Sequence, residues 1–160
     1  MENPTKEEIY AALQTYIGLP LTDMWRPAYQ VFEFGEQKPR GLNERGQEYW
    51  SADLQMDVSG PWRILHNGRI LFGREDYRQR EFLSGHPTAA SKATEEFFDK
   101  VEEGKLVCLS VTIPFGADIR IELSEDYVIQ SFASFKSWQT ILLRNNSAGP
   151  SIFVDKESLA

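Results

Sequence analysis

The sequence predicts an α+β fold: a mainly antiparallel, curved or partly closed β-sheet of about eight strands, with two helices packed on it. Residues 52–58 alternate strictly between apolar and polar side chains, which is the period of a half-buried strand. Two short apolar runs follow on either side of Asn67-Gly68, and this dipeptide favours a tight hairpin turn. Turn signals then recur about every eight to twelve residues through the last third, which is typical of a meander.

The first helix is expected over residues 6–17. Thr5 and Glu8 have the spacing of a capping box, in which each side chain satisfies a backbone donor of the other residue. Apolar residues then recur at helical spacing, and Gly18 and Pro20 end the helix. A second helix is expected over residues 88–103, with one apolar face made of Ala90, Ala93, Phe97 and Val101.

The strands are expected within residues 19–73 and 105–154, in one domain that spans residues 1–160. In the first group, Phe32 and Phe34 point to one face and Glu33 points to the other, and residues 35–47 read as a mobile connection. Residues 52–58 place an apolar set on one face: Ala52, Leu54, Met56 and Val58. The opposite face carries Asp53, Gln55 and Asp57. We expect this polar face to be solvated, with its two carboxylates about 13 Å apart and unable to cooperate directly.

Composition limits the class of protein. The chain has 160 residues, a formal net charge of −7 and a single cysteine. The acidic balance argues against general nucleic-acid binding and is compatible with a protein partner that has a basic surface. No apolar stretch approaches the ~20 residues that cross a bilayer, and the polar N-terminus is not a secretory signal. One cysteine forms no internal disulfide, so a cytoplasmic location is expected, with no membrane association.

No catalytic or cofactor motif emerges from the sequence. His66, His86 and Cys108 are widely separated, which argues against a zinc site, and we expect Cys108 to be an inert thiol in a strand. Nucleophile motifs and glycine-rich phosphate loops are absent. We therefore predict no catalytic residue, no metal and no cofactor.

The strongest binding candidates surround the hairpin: Trp62, Arg63, Arg69, Arg74 and Asp76. If Trp62 points to the core, Arg63 faces the other way, and we expect it beside Arg69 across the hairpin. Arginines and aromatic residues are over-represented where proteins bind other molecules. In the alternative interpretation Trp62 anchors the core, and the arginines form surface ion pairs with neighbouring acidic residues.

The segment from Gly18 to Tyr77 resembles a family of small bacterial proteins with no assigned activity. The likeness rests on Arg26-Pro27-Ala28, Phe32-Glu33-Phe34-Gly35, Gly60-Pro61-Trp62-Arg63-Ile64 and Gly68-Arg69-Ile70. In that family a Pro-Trp-Arg-Ile segment follows a central strand and a hairpin comes next. The resemblance implies a bacterial, cytosolic, single-domain protein and carries over no catalytic residue.

Three functional interpretations follow from these observations. The leading one is a non-enzymatic protein-binding module, immunity- or inhibitor-like. The second is a small-molecule-binding protein or enzyme that uses a pocket in the curved sheet. Its expected lining is aromatic: Phe32, Phe34, Phe115, Phe132, Phe135 and Trp138. The third is self-association through strand edges, and the oligomeric state stays open between monomer and homodimer.

Overall fold

The computed structural model describes residues 4–25, 29–74, 89–114, 118–132, 141–147 and 151–154, with backbone alone for 89–91. Within these ranges lie two α-helices, a short 3₁₀ helix and twelve strands. The helices are α1 (Lys6–Gln14) and α2 (Ala89–Glu102), and the 3₁₀ helix is Ser124–Asp126. The first strands are β1 (Leu21–Trp25), β2 (Gln30–Phe34), β3 (Lys38–Leu42), β4 (Glu48–Ser51), β5 (Leu54–Val58), β6 (Trp62–His66) and β7 (Arg69–Gly73). The remaining strands are β8 (Cys108–Thr112), β9 (Ile119–Leu123), β10 (Tyr127–Ser131), β11 (Ile141–Asn145) and β12 (Ile152–Val154).

The α+β class and the antiparallel pairing are confirmed, but the expected strand count was too low. The described strands form two open five-stranded sheets, in the orders β1-β2-β5-β11-β12 and β7-β6-β10-β9-β8, and a separate β3-β4 hairpin. The chain changes sheets between Val58 and Trp62, at Gly60-Pro61. Proline cannot donate to the ladder of the first sheet, so this dipeptide ends β5 and lets β6 begin the second sheet.

The two sheets share one apolar cluster. The ring of Trp62 on β6 meets Phe32 on β2 edge to face, with ring centroids 5.5 Å apart, and meets Phe72 on β7 at 5.9 Å. Ile9 and Leu13 of α1 are fully buried in the same cluster. Just after α1, the Tyr16 hydroxyl donates to the Gln55 carbonyl at 2.7 Å and ties this end of the core to β5.

Both helices were predicted, with small differences at their ends. The capping box of Thr5 and Glu8 is confirmed. Helix α1 ends at Gln14, three residues before the expected end, and a turn follows up to Gly18, which has a φ of +89°. Helix α2 begins at Ala89 and buries Phe97 and Val101, while the expected first residue, 88, lies outside the described residues.

The hairpin β6–β7 is confirmed, and its two-residue turn has positive φ at both Asn67 and Gly68. The connection expected over residues 35–47 is instead largely the β3-β4 hairpin, closed by Asn43, whose side chain accepts from the backbone N–H groups of Arg45 and Gln47. Of the residues in these two strands, Arg40 and Ser51 are half-buried and the rest are exposed. The hairpin therefore stands out from the two large sheets.

Candidate functional site

A cleft lies between the β3-β4 hairpin and the face of the first sheet that points away from the core. Its volume is about 610 Å³. Carboxylates, arginines, amides and aromatic rings line it: Asp23, Trp25, Glu33, Arg40, Tyr49, Trp50, Ser51, Gln55, Arg144 and Asn146. We call this site the outer cleft.

A β-bulge at Thr22 brings Asp23 into the outer cleft. Leu21 pairs with Phe34 and Asp23 pairs with Glu33, so Thr22 is one extra residue on β1. Without the bulge, strict alternation from buried Leu21 would turn Asp23 towards the core. The extra residue moves Asp23 and Trp25 to the outer face and leaves Met24 on the core face.

Glu33 forms the closed floor of the outer cleft. Its side chain is 1% exposed, although it carries a carboxyl group. One oxygen accepts from the Trp25 indole N–H at 2.6 Å, and the other accepts from the Ala52 backbone N–H at 2.8 Å and from Gln37 at 3.4 Å. Because these donors already occupy the carboxylate, Glu33 orders its neighbours rather than reaching a ligand.

Asp23 carries the second carboxyl group of the outer cleft, next to Glu33. Its Oδ1 accepts from the Met24 backbone N–H at 2.8 Å, and its carboxyl lies within hydrogen-bond reach of Glu33. Burial raises the pKa of Asp23, and the neighbouring charge of Glu33 raises it further. Among the described residues, no lysine or arginine lies within ion-pair distance of Asp23 or Glu33. The pair therefore carries negative charge that the described part of the cleft leaves uncompensated.

The charge of Arg40 is already engaged. Its Nη2 lies 2.8 Å from Asp53 Oδ1, and its Nε donates to the Ser51 hydroxyl at 3.0 Å. Lys38 Nζ lies 2.6 Å from the other Asp53 oxygen. The hydrogen bonds from Lys38 and Arg40 lower the pKa of Asp53. These contacts attach the hairpin to the residue that precedes β5.

The charge of Arg144 is engaged in the same way. Its Nε lies 2.7 Å from Asp57 Oδ2, in an ion pair whose angle is poor for a hydrogen bond, and its Nη2 donates to the Tyr29 hydroxyl at 3.2 Å. Burial raises the pKa of Asp57, and Arg144 opposes that rise. The expectation of a solvated face at Gln55 and Asp57 is wrong, because these residues are only 6% and 5% exposed.

Three aromatic side chains border the cleft and remain exposed: Trp25, Tyr49 and Trp50. The indole N–H of Trp25 donates to Glu33, and 41% of the residue remains exposed. Gln55 lines the same cavity from β5, and its side-chain amide has no hydrogen-bond partner among the described residues. Both polar atoms of this amide are accessible from the cavity, where a ligand can form hydrogen bonds with them.

The binding residues expected from the sequence lie elsewhere. Trp62 is 3% exposed and packs in the core. On the second sheet, Arg63 donates to Gln130 at 2.7 Å, and its guanidinium lies 5.0 Å from the ring centre of Phe132.

The register of the β6–β7 hairpin separates the two arginines expected side by side. It places Arg63 opposite Gly73 and Arg69 opposite His66. The expected contact between Arg63 and Arg69 is therefore wrong. Arg74 is half-buried and Asp76 lies outside the described residues, so a binding role for this group stays a prediction.

Of the six aromatic residues expected to line a pocket in the curved sheet, three lie within the described residues: Phe32, Phe34 and Phe132. Phe32 and Phe34 are fully buried in the core cluster, and Phe132 lies near Arg63. Phe115, Phe135 and Trp138 lie outside the described residues. The cavity forms on the opposite face of the first sheet, where the hairpin and the sheet leave space between them.

The Asp23–Glu33 pair does not have the geometry of a glycosidase carboxyl pair. Hydrolysis of a glycosidic bond by two carboxylates requires a separation of about 5 Å or more, whereas Asp23 and Glu33 are within hydrogen-bond reach of each other. The hydrogen bonds that Glu33 accepts from Trp25 and Ala52 also keep a substrate from reaching its carboxylate. Asp23, the Gln55 amide and the exposed rings remain open to a ligand.

Comparison of the chain with protein-family models, curated proteins and solved structures found no match. The resemblance over residues 18–77 therefore stays a prediction. In the part of the chain that the structure describes, no helix has the length and apolar character to cross a bilayer. The same residues contain no group of three or more His, Cys, Asp or Glu side chains placed to hold a metal ion.

Proposed function

We propose that this chain is a non-enzymatic protein-binding module, immunity- or inhibitor-like, that engages a partner with a basic surface at the outer cleft. One observation carries the proposal: the Asp23–Glu33 pair lacks a described counter-charge and lies beside three exposed aromatic side chains. Tryptophan and tyrosine dominate binding energy at protein interfaces, and uncompensated carboxylates favour a basic partner.

The β3-β4 hairpin adds contact surface to the cleft. Trp50 is 55% exposed, Tyr49 is 44% exposed and Leu42, near the tip of the hairpin, is 66% exposed. Large apolar side chains grouped on a projecting element mark an interaction surface more often than single exposed side chains do. The ion pairs of Asp53 with Lys38 and Arg40 hold this element in place before a partner arrives.

Net charge supports the same kind of partner. The chain carries a formal net charge of −7, and this charge would steer a basic protein towards it and speed their association. The proposal places the protein in the bacterial cytoplasm, as a monomer or homodimer. The buried Cys108 is compatible with a reducing compartment, since burial raises its pKa to about 11 and keeps the thiol protonated.

The experiment compares capture of partners from a lysate of the source cell by the immobilised wild-type chain, Tyr49→Ala and Tyr10→Ala. Tyr10 and Tyr49 are both 44% exposed, and Tyr10 lies on α1, so Tyr10→Ala is a matched control. We expect one basic protein to bind the wild type and the control, with at least tenfold weaker affinity for Tyr49→Ala once that protein is purified. Capture of no specific protein, or equal affinity for all three chains, would overturn the proposal.

A small-molecule-binding protein or enzyme is the second candidate function. The cleft volume of about 610 Å³ lies within the usual range for ligand pockets, and the Gln55 amide is a polar group that such a ligand would satisfy. A small polar compound that raises the melting temperature of wild type and Tyr49→Ala equally, and fails with Gln55→Leu, would favour this candidate over protein binding.

A further inference from the structure

We infer that the outer cleft binds an arginine side chain of the partner, with its guanidinium stacked on Trp25 and paired with Asp23. The inference rests on the proposed function and names the chemical group that the cleft recognises. Three features of the cleft support it: the spacing of Asp23 and Trp25, the unpaired negative charge and the amide of Gln55.

Asp23 and Trp25 have the spacing that a guanidinium requires. They are two residues apart on one face of β1, so their Cα atoms are about 7 Å apart. A cation pairs with a tryptophan when it lies within about 6 Å of the ring centre. A planar group that lies on the Trp25 ring can therefore reach the Asp23 carboxylate without any change in the strand.

The orientation of Trp25 is fixed before a ligand arrives. Its indole N–H donates to Glu33 at 2.6 Å, and Glu33 is held in turn by the Ala52 backbone N–H at 2.8 Å. This chain of contacts fixes the N–H edge of the ring, while 41% of the Trp25 residue remains exposed. A preorganised aromatic surface loses little freedom on binding, which favours affinity.

The unpaired negative charge in the cleft favours a cation as the ligand. Arg40 and Arg144 line the cleft but are each paired with a carboxylate, Asp53 and Asp57 respectively. Asp23 and Glu33 have no such pair among the described residues. An anionic ligand would have to compete with two existing ion pairs, whereas a cation would meet an unpaired carboxylate.

Gln55 offers a ligand a polar contact in addition to the carboxylates. Its side chain is 6% exposed, lines the cavity, and has no hydrogen-bond partner among the described residues. A guanidinium offers five N–H donors in one plane, enough to serve both the Asp23 carboxylate and the Gln55 amide oxygen while stacking on a ring. A lysine ammonium has three donors and no planar face, so arginine fits this set of groups better.

The test uses Nα-acetylarginine amide and its neutral analogue Nα-acetylcitrulline amide as probes, titrated calorimetrically into the full chain. We expect the arginine compound to bind wild type at least tenfold more tightly than the citrulline compound. This comparison uses wild type alone, so it does not depend on the folding of a variant. Equal affinity for the two compounds would overturn the inference.

Two variants locate the binding. Asp23→Asn should weaken arginine binding at least tenfold, and Asp99→Asn, which removes an exposed carboxyl on α2, should change it less than twofold. An unchanged affinity in Asp23→Asn would overturn the inference even if the arginine compound binds. The two proposals fail separately: loss of arginine selectivity with retained Tyr49-dependent partner capture refutes the guanidinium site alone. Arginine selectivity without any captured partner refutes the proposed function alone.

Discussion

Replacing Asp23 by asparagine should stabilise the folded chain at neutral pH. In the native state the Asp23 carboxyl faces Glu33, which is 1% exposed, and burial and this neighbouring charge raise its pKa. An asparagine at this position carries no charge, and its amide N–H can donate to the Glu33 carboxylate. The variant therefore removes a repulsion and adds a hydrogen-bond donor at this position.

The magnitude follows from the geometry of the pair. Two unit charges 4 Å apart repel by about 4 kcal/mol at an effective dielectric constant near 20. Asp23 is partly solvated, which screens this repulsion, so we expect Asp23→Asn to increase the free energy of unfolding by about 1 kcal/mol at pH 7.

The pH dependence gives the sign of the effect. Because the pKa of Asp23 is raised in the folded chain, its protonated form stabilises the fold below the unfolded pKa, and this stabilisation is lost as the pH rises through the folded pKa. Asparagine does not titrate. The difference in free energy of unfolding between Asp23→Asn and wild type should therefore be near zero under acidic conditions and should grow with pH. Acidic groups that do not contact Asp23 titrate in both chains and cancel in the difference.

Urea unfolding of wild type, Asp23→Asn and Asp99→Asn across this pH range measures the difference directly. Asp99→Asn, on exposed α2 surface, should show no comparable rise. A variant less stable than wild type at pH 7, or a stability difference independent of pH, would refute the reasoning about the carboxyl pair.

Three further predictions concern the core. Phe32→Ala, which removes the ring between the two sheets, should lower the free energy of unfolding by about 3–5 kcal/mol in urea, and a loss below 1 kcal/mol would contradict the shared core. Tyr16→Phe leaves the Gln55 carbonyl without its 2.7 Å donor and should cost about 1–3 kcal/mol by the same assay, whereas Tyr10→Phe should be neutral. Cys108 is buried with a pKa raised to about 11, so a thiol reagent such as Ellman's reagent should label it only after denaturation, and rapid labelling of the native chain would contradict its burial.

The faces of the central strands could be predicted from the sequence. Alternation at Phe32, Glu33 and Phe34 fixes which side chains share a face, and the register with β5 agrees with it. The partition into two sheets could not be predicted in this way, because alternation does not identify the neighbouring strand. The β3-β4 hairpin was missed because Lys38-Pro39-Arg40-Gly41 has no apolar period, and its contacts to Asp53 are distant in sequence.

The outer cleft could not be predicted from the alternation of side chains along single strands. The bulge at Thr22 reverses the alternation along β1, and only the pairing with β2 reveals it. Val31 and Glu33 share the outer face of β2, and the apolar Val31 on that face was a signal that it is covered.

The prediction that Arg63 lies beside Arg69 was wrong for a different reason. A two-residue turn already pairs His66 with Arg69, and so places Arg63 at the far end of the hairpin from Arg69. The hairpin itself was predicted correctly, and its register was sufficient to separate the two arginines.

A cation that binds between Asp23 and Trp25 should be detected directly at the Trp25 indole. The most direct measurement is a ¹H–¹⁵N NMR titration with Nα-acetylarginine amide, with the Trp25 indole signal assigned by its loss in Trp25→Phe. We expect a saturable shift of this signal that the citrulline analogue does not produce. A silent Trp25 indole, with shifts confined to the neighbourhood of Arg63 and Phe132 on the second sheet, would contradict this expectation.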